Sequence, residues 1–178
     1  MRSSGILMHI TSLPGPYGVG TMGKQAFAFV DFLKEAGQTM WQILPLTPTG
    51  YGDSPYQSCS TFAGNHYLID LDALIQQGLL EQQEVNTYCW FTTEQRVDFG
   101  LQYQTRLSVL ITAYLRFEES EEFRAFCRKQ AAWLEDYTLF VALKQKFEGR
   151  PWYQWEDPIK FRDASALQKC REELADEI

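Results

Sequence analysis

Two short apolar runs near the N-terminus flank a segment of helical periodicity. The runs cover residues 5–10 and 40–46, and such continuous apolar character is typical of strands covered on both faces in a parallel sheet. Between them, residues 22–36 place apolar side chains at helical spacing, and Gly37 supplies a C-terminal stop. The apolar positions of this helix are Phe27, Val30, Leu33 and Ala36. The pattern predicts a right-handed β–α–β unit and therefore an α/β fold.

From residue 67 onward, the apolar positions follow helical spacing in four further segments. Asp70 is predicted to cap the first, which ends at Gly78, and the last begins near Asp163. The second carries an apolar stripe of Tyr103, Leu107, Leu110, Tyr114 and Phe117. The third carries Phe123, Phe126, Leu134, Tyr137 and Val141, and the fourth carries Leu167, Cys170, Leu174 and Ile178. We therefore expect residues 1–66 to hold the strands and their loops, and residues 67–178 to form a mostly α-helical subdomain.

The last residues of the chain predict a helix that continues. Its final turns would hold four carboxylates, which oppose the helix macrodipole, at Glu172, Glu173, Asp176 and Glu177. No Gly, Asn or Pro stop signal follows them. Two parallel strands joined by one crossover would also leave apolar edges without a pairing strand. We therefore expect these 178 residues to be the first portion of a longer protein, truncated within a helix.

The composition excludes several classes of partner. The chain has 23 acidic and 16 basic residues and a formal net charge of −7, which argues against binding to nucleic acid or to an anionic membrane surface. No apolar run approaches the roughly 20 residues of a membrane span, and residues 1–15 lack the apolar core of a signal peptide. We expect a cytoplasmic protein. Its cysteines are expected to be scattered buried thiols at Cys59, Cys89, Cys127 and Cys170.

The loops that follow the two predicted strands differ in composition from the rest of the chain. Residues 12–20 and 47–65 are dense in Gly, Pro, Ser and aromatics, and both lie where α/β proteins place their chemistry. In the second loop, rings that can stack on a sugar stand beside groups that can hydrogen-bond its hydroxyls: Tyr51, Asp53, Ser54, Tyr56 and Gln57. The alternative is a rigid turn, in which Asp53 caps nearby amides and the tyrosines cover the core.

Other candidate residues have structural explanations as well. His9 ends the first strand and could face a site or be a core residue, whereas His66 is expected to be solvated. Two histidines without carboxylates at suitable spacing predict no metal site. A retaining glycosidase needs two carboxyl groups about 5–5.5 Å apart, and Asp53 alone is a candidate here, so no catalytic pair is predicted. The aromatic cluster from Trp152 to Trp155 is either a small core or an exposed sugar platform.

Three long segments resemble the amylomaltase or 4-α-glucanotransferase family, glycoside hydrolase family 77. They read GILMHITSLPGPYGVG, MWQILPLTPTGYGDSPYQSCSTFAGNHYLIDL and AAWLEDYTLFVALK, and the resemblance extends over residues 4–178. It implies an N-terminal fragment of a (β/α)8 TIM barrel with a largely α-helical insertion after the second strand. It also implies transfer of α-1,4-glucan segments between malto-oligosaccharides or starch chains, with a covalent intermediate, retained configuration and no cofactor.

The resemblance assigns roles to individual residues. In the family, the tyrosine of the DSPYQ block lines the donor site beside the scissile bond, which carries over to Tyr56, with Ser54 and Asp53 in the same loop. The tyrosines Tyr51 and Tyr103 resemble contacts of an accessory site for long glucans. His9 stays a further candidate for substrate contact.

The same resemblance places the catalytic groups outside this chain. The family's nucleophile, acid/base and stabilising carboxylates lie on later barrel strands, beyond Ile178, and none of their motifs occurs here. The 178 residues alone are therefore expected to be inactive. The alternative from another class is a free-standing carbohydrate-binding or interaction protein, which would bind glucan without turnover. Such a protein should end in a capped helix and cover its sheet edge.

Overall fold

A computed structural model describes residues 3–178 of the protein. The chain folds into two compact units, which divide between Glu118 and Glu119. We call the segment before this point the first unit and the segment after it the second unit. Residues 67–118 are thus grouped with the strand-bearing part of the chain. The boundary expected at residue 66 separates barrel from insertion, and it stays a prediction.

The first unit begins with the β–α–β arrangement that the hydrophobic pattern predicts. Strand β1 spans Gly5–Leu7, helix α1 spans Lys24–Glu35, and strand β2 spans Met40–Gln42. The strands are parallel, and Gly5 pairs with Met40. Both strands are shorter than predicted, since the ladder ends at Leu7 and Gln42, several residues before the predicted loops at residues 12 and 47.

Helices form the rest of both units. The first unit continues with α2 (Leu71–Gln76), α3 (Gln82–Asn86) and α4 (Phe99–Tyr114), and has 3-10 turns at Ile10–Ser12 and His66–Leu68. The second unit contains α5 (Glu121–Lys146), α6 (Asp157–Lys160) and α7 (Ala164–Glu173), and has a 3-10 turn at Trp152–Gln154. Asp70 caps α2 as predicted, since its carboxylate accepts a 2.9 Å hydrogen bond from the amide of Ala73. No helix within residues 3–178 is long and apolar enough to cross a membrane.

The predicted apolar face of α1 is wrong in part. Phe27 and Val30 are exposed, and the helix instead directs Phe29 toward β2, where its ring lies 4.9 Å from that of Trp41. Because α1 is rich in apolar residues, its sequence offers two overlapping stripes, and packing against β2 selects one of them. The strand residues Ile6, Leu7 and Met40 are exposed as well, unlike strands covered on both faces.

Helix α4 also buries a face other than the predicted one. Tyr103, Leu107 and Tyr114 are exposed, and the buried side chains are Gln102, Arg106, Val109 and Ala113. The two polar residues face inward because they hydrogen-bond buried backbone carbonyls, which an apolar side chain could not satisfy. The hydrophobic periodicity therefore did not predict which face of this helix is buried.

The second unit packs α5, α6 and α7 around a core that includes Leu139, Leu143, Trp155 and Leu167. In α5 the predicted residues Phe123, Phe126 and Val141 are exposed, whereas Ala142 belongs to the buried core. The predicted continuing helix is wrong for the last residues. Helix α7 ends at Glu173 because Leu174 leaves helical geometry, and Asp176 and Glu177 lie in the turn that follows.

The cysteines also differ from the expected buried thiols. Cys59 and Cys89 are exposed, Cys127 is half-buried and only Cys170 is buried. All four are free thiols. Cys59 and Cys89 lie in loops, whereas Cys127 and Cys170 lie on helices, which explains the difference in exposure.

Candidate functional site

The loop after β2 folds into a short hairpin, residues 49–58. An isolated antiparallel bridge joins Thr49 to Ser58, and the amide of Gly50 donates a 3.0 Å hydrogen bond to the carbonyl of Gln57. At its tip, Gly52 and Asp53 both have positive φ, 90° and 54°, which reverses the chain. Asp tolerates this left-handed conformation better than most residues, so the Gly-Asp pair supports the turn.

The hairpin holds its two tyrosines in solvent. Tyr51 is fully exposed, and the side chain of Tyr56 is 72% exposed. The hydrogen bond from the amide of Gln57 to the carbonyl of Ser54, at 3.0 Å, fixes the backbone around Tyr56. The rigid-turn alternative required both rings to cover the core. The rings do not cover it. They are available to stack on a ligand.

Asp53 and Tyr103 lie close to a buried tyrosine that the sequence analysis did not single out. Burial raises the pKa of Tyr67, and the negative charge of Asp53 raises that pKa further, while the positive charge of Arg106 lowers it. Tyr103 itself, on α4, is 80% exposed. Burial also raises the pKa of Asp53. Helix α4 also approaches Tyr67 directly, since the ring centroids of Tyr67 and Phe99 lie 6.1 Å apart.

The two histidines are both half-buried. His9 follows β1, and burial lowers its pKa; its Nδ1 atom is buried without a hydrogen-bond partner in the described part of the chain. No hydrogen bond between described residues joins His9 to the hairpin, so its place in the site stays a prediction. His66 was expected to be solvated, which is wrong. Its ring lies 4.4 Å from that of Tyr67, and burial, followed by the charge of Arg106, lowers its pKa.

Arg106 is buried and binds the backbone that follows the hairpin loop. Its side chain is 0% exposed, and its Nη2 donates to the carbonyl of Tyr67 at 3.1 Å and also to the carbonyl of Ile69. Its guanidinium carbon lies 5.8 Å from the ring centroid of Trp90. Burial lowers its pKa to about 10. The Arg106 side chain thus fixes the backbone that follows the hairpin loop.

Gln102 connects α4 to the loop after β1. It is fully buried, and its Nε2 donates to the carbonyls of Tyr17 at 2.8 Å and Trp90 at 3.2 Å. Sequence reasoning missed both Gln102 and Arg106, because polar residues on a helix are ordinarily assigned to its solvent face. Their spacing of four residues, continued by Val109 and Ala113, is the signal that could have identified them.

The remaining chemistry of this surface is limited. Asp53 is the one carboxylate of the hairpin, and residues 3–178 contain no group of three or more His, Cys, Asp or Glu side chains that could hold a metal ion. The arrangement can therefore bind a neutral, hydroxyl-rich ligand through aromatic faces and a carboxylate. It does not present the pair of carboxyl groups that glycosyl transfer needs.

Comparison with known proteins gives consistent matches over nearly the whole chain. A family model described as 4-alpha-glucanotransferase, glycoside hydrolase 77, matches residues 8–178. The chain is 48% identical to the 4-alpha-glucanotransferase of Thermus thermophilus, over 99% of this chain and 36% of that protein. It is 44% identical to the enzyme of Clostridium butyricum, over 96% of this chain and 36% of that protein.

A solved structure agrees with these sequence relatives. Amylomaltase from Streptococcus agalactiae in complex with acarbose superposes with a TM-score of 0.91 at 40% identity, covering 99% of this chain and 37% of that one. The chain thus spans little more than a third of the length of the proteins it matches, 36% in the case of the Thermus thermophilus protein. The resemblance read from the sequence is confirmed, and the chain belongs to the 4-α-glucanotransferase family, glycoside hydrolase 77.

Proposed function

We propose that this chain is part of a 4-α-glucanotransferase, which transfers segments of α-1,4-glucan between malto-oligosaccharides or starch chains. The transfer retains configuration and proceeds through a covalent glycosyl-enzyme. Family membership and the likeness to an amylomaltase that binds acarbose support this proposal. In the same proposal, residues 1–66 supply the first two strands of a (β/α)8 barrel, and residues 67–178 supply the helical insertion. The free-standing binding protein is not favoured, because the matched relatives are 4-α-glucanotransferases.

The observation that carries the proposal is the pair of exposed tyrosines on a hydrogen-bonded hairpin. Tyr56 forms a wall of the donor site, and the hairpin's Ser54 and Asp53 hydrogen-bond sugar hydroxyls. Tyr51 and Tyr103 contact longer glucans at an accessory site. Their rings are exposed, and the charge of Asp53 and the Phe99 ring of α4 both act at Tyr67, which supports a shared surface.

The chain itself contributes binding but not turnover in this proposal. We expect purified residues 1–178 to form no maltotetraose or longer products from maltotriose, because the hairpin presents a single carboxylate. Product analysis by anion-exchange chromatography measures this, with the Clostridium butyricum enzyme as a positive control. Detection of transfer products that scale with protein concentration would contradict the expected inactivity and would require a catalytic pair within this chain.

Tyr56→Ala in residues 1–178 is expected to raise the dissociation constant for maltoheptaose about tenfold, equivalent to about 1.4 kcal/mol. The reason is that the exposed ring loses its stacking contact with a sugar while the hairpin backbone keeps its hydrogen bonds. Amide chemical shifts of the hairpin, followed by NMR during titration, give the constant. Tyr114→Ala is a matched control, since Tyr114 is an exposed tyrosine of the same unit outside the hairpin. Equal weakening by both variants would refute the role of Tyr56.

A further inference from the structure

The second unit contains a groove that the hairpin site does not use. A cavity of about 410 Å³ opens between α5, the 3-10 turn and the start of α7. This volume lies within the range of small-ligand pockets, roughly 300–1,000 Å³. Core side chains such as Leu143 and Trp155 form its floor, and its rim carries Trp152, Asp136 and Arg162. We call this cavity the rim-tryptophan groove.

Trp152 is exposed although it lines this groove. Its side chain is 55% exposed, and the neighbouring Tyr153, also exposed, meets it edge to face with ring centroids 6.1 Å apart. Trp155, three residues later, is buried, stacks on Phe147 at 5.3 Å and donates from Nε1 to the carbonyl of Arg150. Trp155 therefore provides the packing for the core, and the core does not need the indole of Trp152. The exposed indole beside the cavity offers a face on which a ring-shaped ligand can stack.

The rim also presents fixed hydrogen-bonding groups. Nη2 of Arg162 lies 2.7 Å from Oδ2 of Asp136, and Nη2 of Arg171 lies 3.7 Å from Oδ1 of the same carboxylate. The side chain of Arg162 is 63% exposed and keeps unused donors. Arg162 adopts a positive φ of 61°, which a non-glycine residue rarely adopts. This conformation ends helix α6, because the amides of Arg162 and Asp163 donate to the carbonyls of Ile159 and Pro158. Lys160, held 2.5 Å from Asp157, adds a further donor at the rim.

We propose that the rim-tryptophan groove binds a glucosyl unit of an α-1,4-glucan and is a second glucan contact of this chain. A pyranose ring has an apolar C–H face that can stack on the indole of Trp152. Its hydroxyls can form hydrogen bonds with the carboxylate of Asp136 and the guanidinium of Arg162. The carboxylate of Asp136 is paired with both Arg162 and Arg171, and the free donors of Arg162 can bind the oxygens of sugar hydroxyls. The ligand class rests on the proposed glucanotransferase function, whereas the groove itself does not.

Titration of residues 1–178 with maltoheptaose tests this proposal. The chain has five tryptophans, so its indole N–H signals are few, and Trp152→Phe assigns the signal of Trp152. We expect that signal to shift saturably in the unmodified chain, together with the amides of Asp136 and Arg162. Tyr56→Ala should leave these shifts unchanged. Trp152→Ala should abolish the shifts at Asp136 and Arg162.

The controls separate this proposal from the proposed function. Phe126→Ala removes an exposed ring of the same unit outside the groove and should leave the shifts unchanged. Shifts confined to the hairpin would overturn the groove while leaving the proposed function intact. Equal shifts with cellobiose, a β-linked glucan fragment, would overturn the assignment to α-1,4-glucan. Shifts in the groove alone would support the groove proposal and contradict the role of the hairpin. The absence of any shift would overturn both proposals.

Discussion

Arg106→Met is expected to lower the free energy of unfolding of the first unit by about 3 kcal/mol, because hydrogen bonds to a charged group contribute roughly 1.5–3 kcal/mol each. The substitution removes the donor of two hydrogen bonds to the carbonyls of Tyr67 and Ile69 and leaves the Tyr67 carbonyl buried without a partner. Methionine regains part of this loss, since burial of the guanidinium already lowers the pKa of Arg106 to about 10. Urea unfolding monitored by tryptophan fluorescence measures the difference.

The same substitution is expected to weaken maltoheptaose binding at the hairpin, because the backbone at residues 67–69 follows directly from that loop. Arg106→Lys should recover part of the stability, since an ammonium group can reach one carbonyl but lacks the fork of the guanidinium. Arg96→Met is the matched control, since Arg96 is an exposed arginine of the same unit, and it should leave the unfolding midpoint nearly unchanged. Equal midpoints for Arg106→Met and Arg96→Met would show that the cost of burying the charge cancels the two hydrogen bonds.

Gly18→Ala is expected to destabilise the first unit by about 4 kcal/mol or more, an effect among the largest that single substitutions produce. Gly18 has a φ of 72°, and a methyl group there would lie 2.0 Å from the carbonyl oxygen of Trp90. The backbone at residue 18 and that at Trp90 must then move apart, which also strains the hydrogen bond from Gln102 to the carbonyl of Tyr17. Differential scanning calorimetry should show the midpoint falling by roughly 10 °C.

Gly37→Ala separates the two causes of that loss. Gly37 has a similar φ of 70°, but nothing lies within 4 Å of the position that its methyl group would take. Gly37→Ala should therefore lower the free energy of unfolding only by the cost of holding alanine in the left-handed conformation, about 1 kcal/mol. If Gly18→Ala cost no more than Gly37→Ala, the close approach of the loop to Trp90 would be wrong.

The turn of the hairpin after β2 could be predicted from the sequence. Gly52 and Asp53 are residues that tolerate positive φ, so a turn between Tyr51 and Tyr56 was predictable from residue type. The exposure of both rings was not, because the rigid-turn alternative used the same residues. Only the hairpin bonds, which leave the rings in solvent, distinguish the two interpretations. The role of these residues in glucan binding stays a prediction.

Helix α4 illustrates the opposite case. Its cap at Asp98 and its length follow from local preferences, but its inner face carries Gln102 and Arg106, and both bond carbonyls remote in sequence. The carbonyl of Tyr67 lies 39 residues from Arg106 in the chain. The spacing of the buried residues fits one helix face, but it does not reveal that distant carbonyls accept from the two polar side chains. The apolar residues Tyr103 and Leu107 were therefore wrongly predicted to lie inside.

The sequence by itself determined the family, the parallel β–α–β unit and the helix caps at Asp70 and Asp163, because these depend on long segments that resemble the family and on interactions between residues a few positions apart. The tertiary structure alone decided which helix faces are buried, where α7 ends and which aromatic rings remain in solvent. Burial depends on partners that are distant along the chain, and residues such as Arg106 are stable inside only because the folded backbone supplies their acceptors.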